Sequence, residues 1–152
     1  MTFDSTNNLD RTSRQLLMAL QENARLSYAE LGRRVGLSPP AAAERIKKME
    51  EMGIITGYRV EIAVEKLGLP IKALISLTTT PQRYPQVITL MNDLTEVQFC
   101  YHVTGNSSFT IEVRASSIAH LEQIVGQLSL HGQTQTSIVL SSPIEKRIGV
   151  NL

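Results

Sequence analysis

The sequence predicts an α+β fold in two parts: three helices and a hairpin up to residue 60, then a β-α-β-β-α-β order after residue 70. Apolar residues recur at helical spacing up to about residue 52, whereas alternating apolar and polar residues dominate the strands expected after residue 70. The first pattern predicts an N-terminal winged helix-turn-helix and the second a C-terminal ferredoxin-like βαββαβ domain. We expect domains at residues 1–60 and 71–152, joined by a linker at residues 61–70.

Capping residues mark the expected starts of the first three helices. Asp10 is placed to begin the first helix, which should end at Asn23. Ser27 stands three residues before Glu30, and this capping-box spacing predicts that the second helix begins at Tyr28.

A glycine turn should separate the second helix from the third. Gly36 is placed to end the second helix in a left-handed conformation, and Ser38 followed by Pro39 is placed to begin the third. The third helix is expected over residues 39–52, with its apolar residues facing inward: Ala42, Ile46, Met49 and Gly53. Two short apolar stretches around Thr56 and Gly57 then indicate a two-residue hairpin, the wing.

The second half of the chain alternates strands and helices. Strands are expected at residues 71–79, 97–104, 109–114 and 134–140, and helices at residues 84–94 and from Ser116 or Ser117 to Leu130. This order predicts a four-stranded antiparallel sheet with both helices on one face.

Charge is concentrated in one stretch of a nearly neutral protein. The formal net charge is +1, but residues 25–48 carry six Lys or Arg against two Glu, a net charge of +4. Such a local basic patch is the electrostatic footprint of a nucleic-acid-binding protein, although a solvated helix face has the same composition.

Enzyme chemistry has little support in the sequence. It contains no phosphate-binding glycine motif and no serine-nucleophile motif, so we expect no enzyme, no cofactor and no metal. Cys100 and His102 lie two residues apart, as a thiolate or metal pair would, but also as two residues on a sheet face or at a subunit contact would. A single cysteine, a polar N-terminus and the lack of a long apolar run favour a cytoplasmic protein without a membrane partner.

The helix-turn-helix pattern points to double-stranded DNA, because the second helix of this motif fits the major groove. Six residues of the third helix are candidates for base contacts: Pro39, Pro40, Ala41, Glu44, Arg45 and Lys48. Six others are candidates for phosphate contacts: Ser27, Arg34, Ser38, Lys47, Tyr58 and Arg59. For Arg45 an intraprotein ion pair with Glu22 or Glu30 is the alternative, and the sequence leaves both open. The few polar side chains at the helix tip predict modest sequence specificity, with DNA shape contributing.

Four groups of residues, in order, resemble the Lrp/AsnC (leucine-responsive, feast/famine) family of transcriptional regulators. They are Leu9-Asp10 with Leu16-Leu17, residues 23–27 with Glu30-Leu31-Gly32, residues 35–38 with Arg45-Ile46 and Met49-Glu50, and Gly53-Ile54-Ile55 with Gly57-Tyr58. Leu67-Gly68 and the βαββαβ half are also similar to that family, so the resemblance covers residues 9–145.

This resemblance implies an oligomeric DNA-binding regulator. The expected assembly is a dimer formed sheet to sheet, joined further into tetramers or octamers, with an amino-acid effector bound between dimers. The family's effector loop corresponds to Gly105, Asn106, Ser107 and Ser108. Ser108 stands where the family usually has Asp, which removes the carboxylate that would pair with an ammonium group. The loop is therefore expected to bind another ligand, to bind weakly, or to act only as an assembly contact. An architectural DNA-binding protein with weak sequence preference is the alternative function.

Overall fold

The structure, a computed structural model, describes residues 9–144, so the ends of both predicted domains, residues 1–8 and 145–152, lie outside it. The described residues divide into two compact units, residues 9–60 and Glu61–Ile144. Across these residues, no helix combines the length and the apolar character that crossing a membrane requires.

The N-terminal unit contains three helices, α1 (Arg11–Glu22), α2 (Tyr28–Val35) and α3 (Pro39–Glu51). The predicted caps are confirmed: Asp10, Ser27 and Ser38 each accept a hydrogen bond from the backbone N–H three residues later. The helices enclose an apolar core, because each turns its apolar stripe toward the other two. Its buried members are Leu16, Ala19, Leu31, Ile46 and Met49.

Two glycines shape the turn between α2 and α3. Gly36 ends α2 with a φ of 73°, a left-handed conformation that side-chain-bearing residues rarely adopt. Gly32 lies inside α2, where the chain folds back closely: the Leu37 N–H donates to the Gly32 carbonyl over 2.8 Å. A Cβ atom at residue 32 would lie 2.5 Å from the Leu37 carbonyl oxygen. The turn can pack against α2 only because residue 32 lacks a side chain.

The predicted wing hairpin is wrong, since residues 52–63 contain no strand. The N–H groups of Ile54 and Ile55 both donate to the Met49 carbonyl, so these residues close α3 instead of pairing as a strand. A two-residue hairpin also needs a positive φ at its first central residue. That residue is Thr56, and no non-glycine residue described has a positive φ. Gly53 was expected to face inward with the apolar set, but it is exposed.

The C-terminal unit contains the predicted four-stranded antiparallel sheet, in the order β2-β3-β1-β4. Its elements are β1 (Ile71–Thr78), α4 (Tyr84–Asp93), β2 (Val97–His102), β3 (Phe109–Ala115), α5 (Ile118–Ser129) and β4 (Gln133–Ile138). Ser117, one of the two predicted caps, begins α5. Within the segment expected as a linker, residues 64–67 form a short 3₁₀ helix.

The two faces of this sheet differ. Both helices pack against one face, which contributes alternate, fully buried residues of β1 and β3 to the core. The other face carries partly exposed charged and apolar side chains, including Leu74, Phe99, Tyr101 and Glu112. Within the described unit, neither helix covers this second face, which is called the open face below.

Candidate nucleic-acid interface and effector loop

The inward side of α3 decides which of its residues are available to a ligand. Ala42, Ile46 and Met49 are buried, as predicted. The residues pointing away from the core are exposed at Pro39, Pro40, Glu44, Lys47 and Lys48, and half-buried at Ala41 and Arg45. Within the N-terminal unit, the side of α3 that faces away from the core is therefore exposed or half-buried along its whole length.

Arg45 lies in an intraprotein ion pair, although not with either predicted partner. Its guanidinium donates to the carboxylate of Asp10 and, over 3.1 Å, to the hydroxyl of Ser13. The prediction of Glu22 or Glu30 as its partner is wrong: Glu22 pairs with Arg34 over 2.9 Å, and Glu30 closes the capping box of α2.

The Asp10 carboxylate is held in its charged form. The hydrogen bond from Arg45, and next the backbone N–H of Ser13, lower the pKa of Asp10 to about 2. Three acids outside residues 25–48, Asp10, Glu22 and Glu51, pair with basic residues inside it, and these ion pairs reduce the net charge of the stretch from +4 to +1. The basic patch available to DNA is smaller than the sequence indicates.

Several phosphate candidates already have intramolecular partners. The Ser27 hydroxyl donates to Glu30 over 2.7 Å, and the Ser38 hydroxyl accepts from the Ala41 N–H over 3.4 Å. Lys47 approaches Glu51 at 3.7 Å. Among the described residues, Lys48 and Arg59 form no ion pair.

Tyr58 has a partner as well. Its phenol donates to a Glu50 carboxylate oxygen over 2.8 Å. Burial, and then this carboxylate, raise the pKa of Tyr58 to about 12. The phenol therefore remains protonated at neutral pH.

The candidate effector loop joins β2 to β3 and is anchored by Ser108. Its side chain is buried, and its hydroxyl donates to the Thr79 carbonyl over 3.0 Å and accepts from the Thr79 N–H over 3.1 Å. The Ser108 N–H donates to the Leu77 carbonyl. Gly105 and Asn106 are exposed, and Ser107 is half-buried. The loop thus presents residues 105–107 outward, while Ser108 connects it to the end of β1.

Cys100 and His102 acquire no catalytic partners. His102 packs edge-on against Tyr84, with ring centroids 4.8 Å apart, and burial raises the pKa of the Cys100 thiol. A raised pKa disfavours the reactive thiolate. Residues 9–144 contain no group of three or more side chains suited to holding a metal ion.

The sequence could not reveal the Asp10–Arg45 pair, because its members lie 35 positions apart. The only local signal for Asp10 was its capping role. Likewise, Ser108 differed visibly from the family pattern, but its contact with Thr79 depends on how β1 and β3 pair.

Two family models match this chain. An AsnC-type helix-turn-helix domain matches residues 9–50, and an Lrp/AsnC ligand binding domain matches residues 72–148. Together these matches cover more than half of the sequence.

Relatives match almost end to end. The HTH-type transcriptional regulator LrpC of Bacillus subtilis is 32% identical over 133 residues, which are 88% of this chain and 92% of the relative. The regulatory protein AsnC of Escherichia coli is 34% identical over 145 residues, covering 92% and 95% of the two chains.

Solved structures agree with this relationship. The structure of B. subtilis LrpC superposes with a TM-score of 0.86 at 31% identity, covering 91% of this chain and 99% of that one. A transcriptional regulator of Neisseria meningitidis in complex with L-Met gives a TM-score of 0.84 at 29% identity, covering 90% and 93%.

These relatives are transcriptional regulators, which confirms the predicted function and the prediction that the chain is not an enzyme. They do not support the alternative of an architectural DNA-binding protein. This chain therefore belongs to the Lrp/AsnC family and is a DNA-binding transcriptional regulator of that type.

Proposed function

We propose that this regulator, acting in the cytoplasm, binds double-stranded DNA with α3 in the major groove. The observation that carries the proposal is the burial of Ala42, Ile46 and Met49, which leaves the opposite side of α3 exposed. On that side Glu44 accepts from cytosine, Lys48 donates to guanine, and the apolar tip contacts thymine methyl groups. The apolar tip comprises Pro39, Pro40 and Ala41.

Phosphate contacts surround this helix in the proposed complex. Arg59 and Lys47 supply exposed charges, and Arg34 retains donors beyond the one used on Glu22. Contacts from Ser27, Ser38 and Tyr58 are expected to be weaker, because their hydroxyls already form intramolecular hydrogen bonds. Because few polar base contacts are available, specificity depends partly on DNA shape and on the binding of several N-terminal units of one assembly to the same DNA.

Lys48→Ala tests the groove assignment, with Lys66→Ala as its control. Lys66 lies in the 3₁₀ helix of the C-terminal unit, outside the proposed interface. Both variants lose one lysine charge, so they differ only in where that charge is lost. Binding is measured on a duplex selected by the protein from a random library and on random duplex. Lys48→Ala should weaken binding to the selected duplex roughly 5- to 100-fold, the effect of losing one base contact, with a smaller loss on random DNA. Wild-type affinity of Lys48→Ala on both duplexes would contradict the assignment.

We propose that the open face of the sheet binds a second copy of this chain. Phe99 and Tyr101 are 51% and 57% exposed, and their rings lie parallel with centroids 6.0 Å apart. Leu74 adds a third exposed apolar side chain. Glu112 lies near the middle of this face, where its carboxylate accepts from Lys72 over 3.2 Å. Such a patch of large apolar side chains with partly buried charges is typical of a protein–protein interface.

Sedimentation tests this interface through Tyr101→Glu. Ile88→Glu is the matched control, because Ile88 is 50% exposed on α4, on the other side of the sheet. Tyr101→Glu should shift the protein toward monomer at micromolar concentration, whereas Ile88→Glu should sediment as the wild type does. A wild-type profile for Tyr101→Glu would rule out the open face. Assembly of such dimers into tetramers or octamers is part of the proposal and is read from the same profiles.

We propose that the loop at residues 105–107 contacts an amino-acid effector between dimers. The L-Met complex of the Neisseria regulator is the relative that motivates the ligand class. In this chain the contacts come from the exposed Gly105 and Asn106 and from Ser107, because the Ser108 hydroxyl is already bonded to Thr79. Residue 108 is a serine and supplies no carboxylate to pair with the ammonium group, so binding of the amino acid is expected to be weak.

Sedimentation and calorimetry with each of the common L-amino acids test this ligand class. At least one should change the assembly, and Asn106→Ala should reduce that response. If no amino acid produces heat or a change in sedimentation, the loop has no such effector.

A further inference from the structure

Asp10 performs two separate functions with its two carboxylate oxygens. Oδ1 accepts the Ser13 N–H over 2.8 Å and caps α1. Oδ2 accepts from Arg45, which lies in the middle of α3 and also donates to the Ser13 hydroxyl. The first function needs only an oxygen acceptor, whereas the second needs a negative charge.

Arg45 lies next to residues of the proposed DNA interface. Along α3 it follows Ala41 by four positions and precedes Lys48 by three, and residues at these spacings are neighbours on a helix surface. Its side chain is 37% exposed and long enough to reach a phosphate beside the groove. Its pairing with Asp10, together with the hydrogen bond to the Ser13 hydroxyl, directs it toward α1.

We propose that Asp10 is a positioning residue that holds Arg45 against the protein body and so removes it from contact with DNA. This inference rests on the proposed α3 interface. A guanidinium paired with a carboxylate releases no counterion from DNA, so Arg45 adds nothing to sequence-independent affinity. The pair also joins the start of α1 to the middle of α3.

Asp10→Asn separates the two functions of Asp10. Asparagine caps a helix about as well as aspartate, so α1 keeps its cap while Arg45 loses its counter-charge. The released Arg45 then contacts phosphate. On random-sequence duplex, the slope of log affinity against log salt should steepen by about 0.9 for each bound N-terminal unit. Between 50 and 200 mM salt, each bound unit therefore adds a further loss of affinity of roughly three- to fourfold. The ratio of affinities for selected and random duplex should fall.

Two further variants isolate the role of Arg45. Asp10→Asn combined with Arg45→Gln removes both charges and should return the slope to the wild-type value. Asp93→Asn loses one negative charge at the exposed end of α4 and controls for net charge alone. Melting temperatures and circular dichroism establish that each variant is folded.

The result that would overturn the inference is a slope for Asp10→Asn equal to that of Asp93→Asn. The double variant provides a second test, because it keeps the side-chain cap of α1 and carries neither charge of the pair. A slope shallower than wild type for the double variant would mean that Arg45 contacts DNA in the native protein. Failure of the wild type to bind any duplex would instead contradict the proposed α3 interface.

Discussion

Replacing Gly32 by alanine sets helix propensity against packing. Gly32 lies inside α2, where alanine is intrinsically favoured over glycine by about 1 kcal/mol. The added Cβ, however, would lie 2.5 Å from the Leu37 carbonyl oxygen and 3.3 Å from two backbone carbons, in Leu37 and Ser38. Backbone atoms cannot rotate away as a side chain can, so the turn itself must move.

The two effects differ enough in size to predict whether Gly32→Ala stabilises or destabilises the N-terminal unit. Overpacking typically costs about 1–3 kcal/mol, and a contact this short belongs in the upper part of that range. Subtracting the propensity gain, we expect Gly32→Ala to reduce the stability of the N-terminal unit by roughly 1–2 kcal/mol. The shift of the turn should also move α3 and weaken DNA binding.

Gly126→Ala is the matched control. Gly126 lies inside α5, and a Cβ there would meet nothing within 4 Å. Only propensity then acts, so this substitution should stabilise the C-terminal unit by roughly 0.5–1 kcal/mol. Hydrogen exchange of the amides in α2 and α3, and separately in α5, reports the stability of each unit. If Gly32→Ala slows exchange as Gly126→Ala does, the packing argument is refuted.

Three further outcomes follow from the hydrogen bonds of the two units. Ser108→Ala leaves the Thr79 N–H and carbonyl without a partner and should destabilise the C-terminal unit by about 1–3 kcal/mol in urea unfolding; an unchanged midpoint would show that water replaces the hydroxyl. In an ultraviolet titration, one tyrosine should ionise near pH 12, and this step should be absent in Tyr58→Phe. The pKa of Glu96 is lowered by its own backbone N–H and then by His120, so its stabilising contribution is present above its ordinary pKa and lost as the pH falls through the lowered value. The melting temperatures of wild type and Glu96→Gln should therefore converge on acidification, and a constant difference would contradict this.

Local chemistry made much of the fold predictable from the sequence. Ser27 and Ser38 determine where α2 and α3 begin, because a cap involves atoms only three residues apart. The helical spacing of Ala42, Ile46 and Met49 identifies the buried side of α3 for the same reason. In the sheet, strict alternation along β3 separates the core face from the open face.

The tertiary structure decided which candidate residues are free to act. Arg45 and Lys48 look equivalent in the sequence, but folding brings Asp10 to one of them and not to the other. The wing failed for a related reason: Ile54 and Ile55 find partners at the end of α3, so a plausible turn dipeptide never forms a hairpin. The Ser108 hydroxyl accepts a hydrogen bond from the backbone N–H of Thr79, which lies 29 positions earlier. By itself the sequence determined the family, the helix starts and the buried faces, because caps and periodicity act over a few residues. Pairing between distant charges and hydroxyls depends on how the elements pack, and only the folded chain brings those groups together.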